Sequence, residues 1–256
     1  MGSRGFTLVE LLVTLLLLSI VAIGVSSFVT YATRIYVDSQ GWSASISQYR
    51  FGVQRLSREL RDALPGSVVV GASGGGQCVS FRPILSSGHF IEAPLHNDSS
   101  KVSVFMPESC SDAPCLEGSE FVILDGYKVP TTIPRVKSGG SSCDAGVCEL
   151  TLDRTLRPGD FSVGKRFFVP GGQIRYCLTA DGNLSRSANG RTSLMGEGFQ
   201  NNLAGCVPGN RDNQQCPFLL EPPSLARNSV VKLQFWLAEA GQTQRFAQEV
   251  QVENVP

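Results

Sequence analysis

The feature that most constrains this chain is the stretch from Phe6 to Thr33, nearly all aliphatic over Leu11 to Ile23, in which the only charge is Glu10. At about 1.5 Å of rise per residue, a helix of that length exceeds the roughly 30 Å of a bilayer's hydrocarbon core. Before it stand only Met1-Gly2-Ser3-Arg4-Gly5. The lone positive charge of Arg4 favours keeping that end cytoplasmic, which places everything after residue 33 outside. An ordinary secretory signal is the rival reading. It would show a shorter apolar region, no acid within it and a small-x-small cleavage site, for which Ala22-Ile23-Gly24 is a loose match. Glu10 and the length of the run argue against it. A carboxylate this deep in a membrane segment is costly, and marks a functional group that needs a positive partner.

The residues Gly5-Phe6-Thr7-Leu8-Val9-Glu10-Leu11-Leu12 resemble the class III signal of type IV pilins and type II secretion pseudopilins, with glycine, aromatic and glutamate in register. The resemblance implies that a prepilin peptidase cuts between Gly5 and Phe6 and that the new amine of Phe6 is methylated. It also implies a partner for Glu10, the positive N-terminal amine of a neighbouring pilin in the fibre. The physics agrees, because pairing two charges in low dielectric relieves a cost that neither bears well alone.

No proline occurs before Pro65, so one helix is predicted to run to about Leu64. In its second half Ile46, Tyr49, Val53, Leu56, Leu60 and Leu64 recur at spacings of three and four. Arg50, Arg55, Arg58, Glu59, Arg61 and Asp62 fill the other faces. That pattern predicts an amphipathic helix packed on a domain, with a solvated charged face rather than one that binds DNA or lipid. Gly24, Gly41 and Gly52 are expected weak points, each costing roughly 1 kcal/mol relative to alanine.

Pro65-Gly66 ends the helical pattern, and short β-type runs follow, broken by glycine, proline and serine. Strands are predicted at 67–70, 78–81, 102–105, 121–124, 147–152 and 165–169. A hairpin is predicted at 173–187 around Asp181-Gly182-Asn183, and a closing pair at 230–237 and 246–252 around Ala240-Gly241. The expected fold is α+β: a long helix, transmembrane in its first half and amphipathic in its second, laid across an antiparallel sheet in the manner of pilins. The expected divisions are a leader at 1–5, a transmembrane segment at 6–33, the amphipathic half at 34–64 and a periplasmic β-rich domain at 65–256. No internal repeat or linker marks a second domain. Segments around Ile35-Tyr36-Val37-Asp38, Gln48-Tyr49-Arg50-Phe51, Arg58 to Pro65, and Ile174-Arg175-Tyr176-Cys177-Leu178 with Leu184-Ser185-Arg186 resemble the PilW, J-type pseudopilin and MshO branch of minor pilins. They look most like MshO of MSHA pili.

Eight cysteines form an even set that suits an oxidising compartment. Cys110 and Cys115, Cys143 and Cys148, and Cys206 and Cys216 are locally spaced. Cys78 and Cys177 are left as a long-range candidate, among the 105 pairings that eight cysteines allow. A zinc site lacks support, since no Cys-x-x-Cys occurs and the two histidines, His89 and His96, stand apart from the cysteine pairs. Nucleophilic catalysis needs a base and neither histidine sits in a catalytic motif, so the chain is expected not to be an enzyme and to carry no cofactor. Gly71-Ala72-Ser73-Gly74-Gly75-Gly76 lacks the Lys-Ser/Thr of a phosphate loop and reads as a hairpin turn. Asp112, Glu117 and Asp125 match no EF-hand spacing, and Asn97-Asp98-Ser99 is a sequon that says little in a bacterial pilin. Lysine plus arginine equals aspartate plus glutamate at 22 each, so no global charge draws nucleic acid.

The resemblance therefore implies a minor pilin that primes or caps a type IV, MSHA-like pilus as a low-copy tip subunit. Its expected partners are other minor pilins, the major pilin, the prepilin peptidase, the inner-membrane assembly platform and, through its helix, membrane lipid. The expected location is the inner membrane with a periplasmic domain, then the fibre tip at the cell surface. A type II secretion pseudopilin of the tip is the alternative, and a tip adhesin or DNA-uptake pilin a third.

Overall fold

The computed structural model describes residues 7–92, 100–105, 116–124, 128–138, 142–144, 146–156, 162, 164–206, 213–224, 227–239 and 241–253. One helix, α1 (Leu8–Arg61), opens the described chain. Thr7 caps it: its hydroxyl accepts the Glu10 amide at 3.3 Å and its carbonyl accepts the Leu11 amide at 3.2 Å. Thr7 and Glu10 thus stand in the Thr-x-x-Glu spacing of a capping box, and one of the amide groups that a helix start leaves unpaired is satisfied. The chain divides into two compact units, Met1–Ser47 with Glu239–Gln242, and Gln48–Ala238 with Thr243–Pro256.

In the first unit α1 is exposed throughout residues 8–40, with Leu16 at 53% and Phe28 at 72%. Thr14, Ser19, Thr30 and Thr33 turn their hydroxyls back to carbonyls three or four residues earlier, at 2.8 to 2.9 Å. These polar groups are therefore satisfied within the helix, as an apolar medium requires. The helix is long and apolar enough to cross a membrane.

In the second unit the end of α1 buries Val53, Leu56 and Leu60 at helical spacing. The helix stops at Arg61, three residues short of the predicted Leu64, because the chain has already left to pair elsewhere. Asp62 accepts the Ile84 amide at 2.8 Å, Leu64 donates its amide to Arg82 at 2.7 Å, and Ala63 bridges Pro83. Ser67 is taken into the turn, its hydroxyl donating to the Leu64 carbonyl at 2.6 Å, so the first strand starts at Val69 rather than at residue 67.

The fold is α+β with antiparallel pairing, as expected, and among the described residues the strands form three sheets. The first orders β1 (Val69–Ser73), β2 (Gly76–Phe81), β8 (Ile174–Leu178), β9 (Leu184–Ala188) and β10 (Arg191–Gly196). The second orders β5 (Ser142–Asp144), β6 (Val147–Thr151), β4 (Lys101–Phe105), β3 (Ile84–Glu92) and β7 (Arg166–Pro170). The third orders β11 (Phe218–Glu221), β12 (Ser229–Glu239) and β13 (Gln242–Val252). Register in the first sheet puts Val79 opposite Tyr176 and Phe81 opposite Ile174. Alternation then gathers Gln77, Val79, Phe81, Ile174, Tyr176 and Leu178 on one buried face. Gln77 Oε1 accepts the Phe218 amide at 3.0 Å, which ties the start of β11 to β2.

Phe121–Leu124 is not a strand. All four side chains are buried, Phe121 and Ile123 in one apolar cluster and Val122 and Leu124 in another, so the segment threads between two cores. Its pairings are isolated bridges, Glu120 with Arg135 and Val122 with Phe168. Conversely β3 carries too many serines and too little alternation to be read as a strand. Gly88 fits at its centre because a side chain there would meet the Phe105 carbonyl oxygen at 2.6 Å and the Phe167 ring at 2.7 Å.

Gly52 is likewise not a weak point in α1. A β-carbon there would lie 2.8 Å from the Met195 carbonyl oxygen, so glycine is what lets the helix backbone approach β10. The substitution Gly52→Ala, which helix propensity alone would favour, is expected instead to destabilise the chain by about 1–3 kcal/mol through this backbone clash. Thermal unfolding of parent and variant measures it, and an equal or higher melting temperature for the variant would contradict the close approach.

Candidate functional site

Gly5 and Phe6, at the expected cleavage and methylation site, lie outside the described residues, as do Cys110, Cys115, His96, Asp112, Asp125 and Asn97 to Ser99. Glu10 is described. It sits exposed in the first turn of α1, where the aligned peptide dipoles favour a negative side chain. From Phe6 to Thr33 the sequence contains no cation, so this stretch offers the carboxylate no opposite charge of its own.

The structure joins Cys78 to Cys177, Cys143 to Cys148 and Cys206 to Cys216. The first bridge sits across directly opposed positions of β2 and β8, with Cα atoms 4.1 Å apart, and closes a separation of 99 residues. The second spans opposed positions of β5 and β6, and the third closes the loop that leads into β11. Bridges of this kind contribute typically 2 to 4 kcal/mol, more for long loops. Among the described residues no group of three or more histidine, cysteine, aspartate or glutamate side chains is placed to hold a metal ion. His89, on β3, accepts a hydrogen bond from Arg166 Nε at 3.4 Å. The glycine-rich run forms the β1–β2 hairpin, with Gly74 and Gly75 supplying the positive φ of its tip.

The most concentrated polar chemistry of the second unit lies where α1 meets the first sheet, and the sequence pattern misplaced it. The charge pattern puts Glu59 on the solvated face, whereas it turns toward β8 and β9. Its carboxylate accepts hydrogen bonds from Tyr176 Oη at 2.9 Å, from Arg186 Nε at 2.9 and 3.1 Å, and from Arg55 Nε at 3.1 Å. Tyr176 and Arg186 are direct cross-strand partners, and the guanidinium lies 6.0 Å from the tyrosine ring centre. Burial alone would raise the Glu59 carboxyl, but the hydrogen bonds from Arg186, Arg55 and Tyr176 outweigh it and hold its pKa below the usual 4.5. Burial, then the charge of Glu59, pushes the Tyr176 phenol well above the normal range. The phenol therefore stays protonated as a donor. The only signal for this cluster in sequence was the i, i+4 spacing of Arg55 and Glu59; the other two partners lie 117 and 127 residues away.

Compared with known proteins, residues 1–26 match the family model described as the prokaryotic N-terminal methylation motif. That match supports a type IV pilin-like protein, a pilin or pseudopilin. It implies processing by prepilin peptidase and assembly with membrane anchoring, and the exposed apolar helix fits a membrane-anchored pilin. No curated protein and no solved structure matches the chain.

A carboxyl held below its unfolded pKa stabilises the fold above that value and loses the contribution as pH falls through its folded pKa. Glu59→Gln is therefore expected to lower stability by about 1–3 kcal/mol at neutral pH. The gap between variant and parent should shrink as pH drops well below 4.5. Denaturant unfolding across that range reads the difference, and a gap independent of pH would show that the ionised network contributes nothing.

Proposed function

We propose that this chain is a minor pilin that primes or caps assembly of a type IV, MSHA-like pilus as a low-copy tip subunit, and that it performs no catalysis. The observation that carries the reading is the methylation motif placed directly before an apolar helix whose side chains are uncovered. In this reading Glu10 accepts the N-terminal amine of a neighbouring pilin, the peptidase removes Met1 to Gly5, and the domain after the membrane segment lies in the periplasm before extraction into the fibre. Three disulfides among the described residues suit that oxidising route. The size of the exported part, about 190 residues in three sheets, favours a tip over a tightly repeated shaft position.

Val53, Leu56 and Leu60 are buried in the chain's own domain, as the amphipathic pattern predicts, so in this reading they do not meet sibling pilins. The exposed face with Arg50, Phe51 (59% exposed), Arg58 and Arg61 is the one that remains.

Two experiments test the proposal. Glu10→Ala should still be processed, with mass spectrometry showing loss of Met1 to Gly5 and a methylated Phe6, but should no longer co-purify with the other minor pilins. Normal co-purification would remove the role given to Glu10. Deleting the gene should sharply reduce surface fibres while the major pilin is still made and processed, and immunogold labelling should mark fibre ends. Decoration along whole fibres, or normal fibre numbers without the gene, would rule out the initiator role.

A further inference from the structure

One edge of the first sheet is left open beside the helix. β10 pairs with β9 alone, whereas the opposite edge strand, β1, lies against β11. The β9–β10 hairpin turns on Asn189 and Gly190, whose φ values of 51° and 74° are those of a two-residue type I′ turn. Such a turn is closed by a hydrogen-bonded pair, here Ala188 and Arg191, and from there bonded and non-bonded pairs alternate. Arg191 and Ser193 therefore direct their amides and carbonyls to β9. Thr192 and Leu194 turn theirs outward, and no turn, loop or cap hydrogen bond among the described residues takes them up. Sheets usually blunt such an edge with proline, lysine or a bulge. The bulge of β10 comes only past Leu194, where α1 closes in: a β-carbon on Gly52 would meet the Met195 carbonyl oxygen, and one on Gly196 would lie 3.9 Å from that of Gln48. Before that point Arg191, Thr192, Ser193 and Leu194 are all exposed.

The two faces flanking this edge differ in chemistry. Tyr176 and Arg186 reach Glu59, so their face of the sheet is the one under α1, and register with Arg186 puts Ser193, and by alternation Arg191, on it. Helical spacing sets Phe51 and Arg58 on the flank of α1 beside Gln48, Gly52, Arg55 and Glu59. Arg55, Arg58, Arg186 and Arg191 thus stand on the α1 face against the carboxylates of Glu59 and, just past β10, Glu197; Arg61 and Asp62 further along cancel. The excess is positive. Leu194, 52% exposed, lies on the other face, in register with Ser185 and through it with Cys177. A strand laid on β10 gains main-chain hydrogen bonds from Thr192 and Leu194, a positive field and the exposed Phe51 ring on one face, and an apolar neighbour on the other. The segment that matches carries acidic residues toward the arginines and apolar ones toward Leu194, in alternation. A second copy of β10 matches poorly, because it would bring its own Arg191 against these arginines.

We propose that the β10 edge takes up, by strand addition, an extended segment of another polypeptide in which acidic and apolar residues alternate. This docking rests on the role given above to the exposed flank of α1, and its test reads strand pairing alone, apart from processing, Glu10 and fibre numbers. The full chain in nanodiscs of zwitterionic lipid is titrated with two blocked, fluorescently labelled hexapeptides, one alternating valine with glutamate and the other valine with lysine. The glutamate peptide should bind about tenfold tighter or more by fluorescence anisotropy, and should slow hydrogen exchange at the Thr192 and Leu194 amides. Thr192→Pro removes one outward amide and leaves the bonds to β9, so it should fold and bind the glutamate peptide about tenfold more weakly or worse. Arg58→Glu should weaken it through charge; if the proline variant does not fold, Arg58→Glu and the exchange pattern decide. No binding, equal binding of the two peptides, or binding that leaves Thr192 and Leu194 unprotected would overturn the proposal. So would a dimer of the full chain that Thr192→Pro dissolves, since β10 would then be serving a second copy.

Discussion

The rest of this structure follows from an apolar helix that the described chain does not cover. Residues 8–40 of α1 are exposed and largely apolar, and burying them requires lipid or the helices of other subunits. Helical hydrogen bonding satisfies the backbone, and the back-bonded hydroxyls of Thr14, Ser19, Thr30 and Thr33 remove further polar cost, leaving Glu10 as the one acidic or basic side chain between Phe6 and Thr33. Among the described residues three disulfides, across short and long separations, limit the unfolded ensemble without asking more of the core.

In the second unit three independent devices meet on the first sheet. Gly52 lets the helix backbone close on β10, Glu59 is clamped by Tyr176 and Arg186 of β8 and β9, and Cys78–Cys177 ties β2 to β8. Since Tyr176 and Cys177 are consecutive on β8, their side chains leave opposite faces, so the clamp and the bridge hold the same strand from its two sides.

What was legible in the sequence was local. Pro65-Gly66, Asp181-Gly182-Asn183 and Gly241 stand beside the helix end and the two hairpin turns because each acts within its own few residues. The motif around Glu10 was legible for the same reason. The helix end itself slipped by three residues, since Leu64 and Ala63 pair with residues 82 and 83, a preference no local signal carries. Phe121–Leu124 was misread because a run buried on both sides looks like a strand whether it pairs with neighbours or fills two cores.

The misassignment of Glu59 has a more general cause. On a helix wheel a charged residue beside Arg55 and Arg58 belongs to the wet face, and only the arrival of Tyr176 and Arg186 from more than a hundred residues away makes it a half-buried anchor. Polar residues that a sequence assigns to solvent, and that the fold then covers, are where tertiary structure adds information the sequence pattern cannot hold. In this chain Glu59 is such a residue, and its bonds to Tyr176 and Arg186 lock the helix to the sheet.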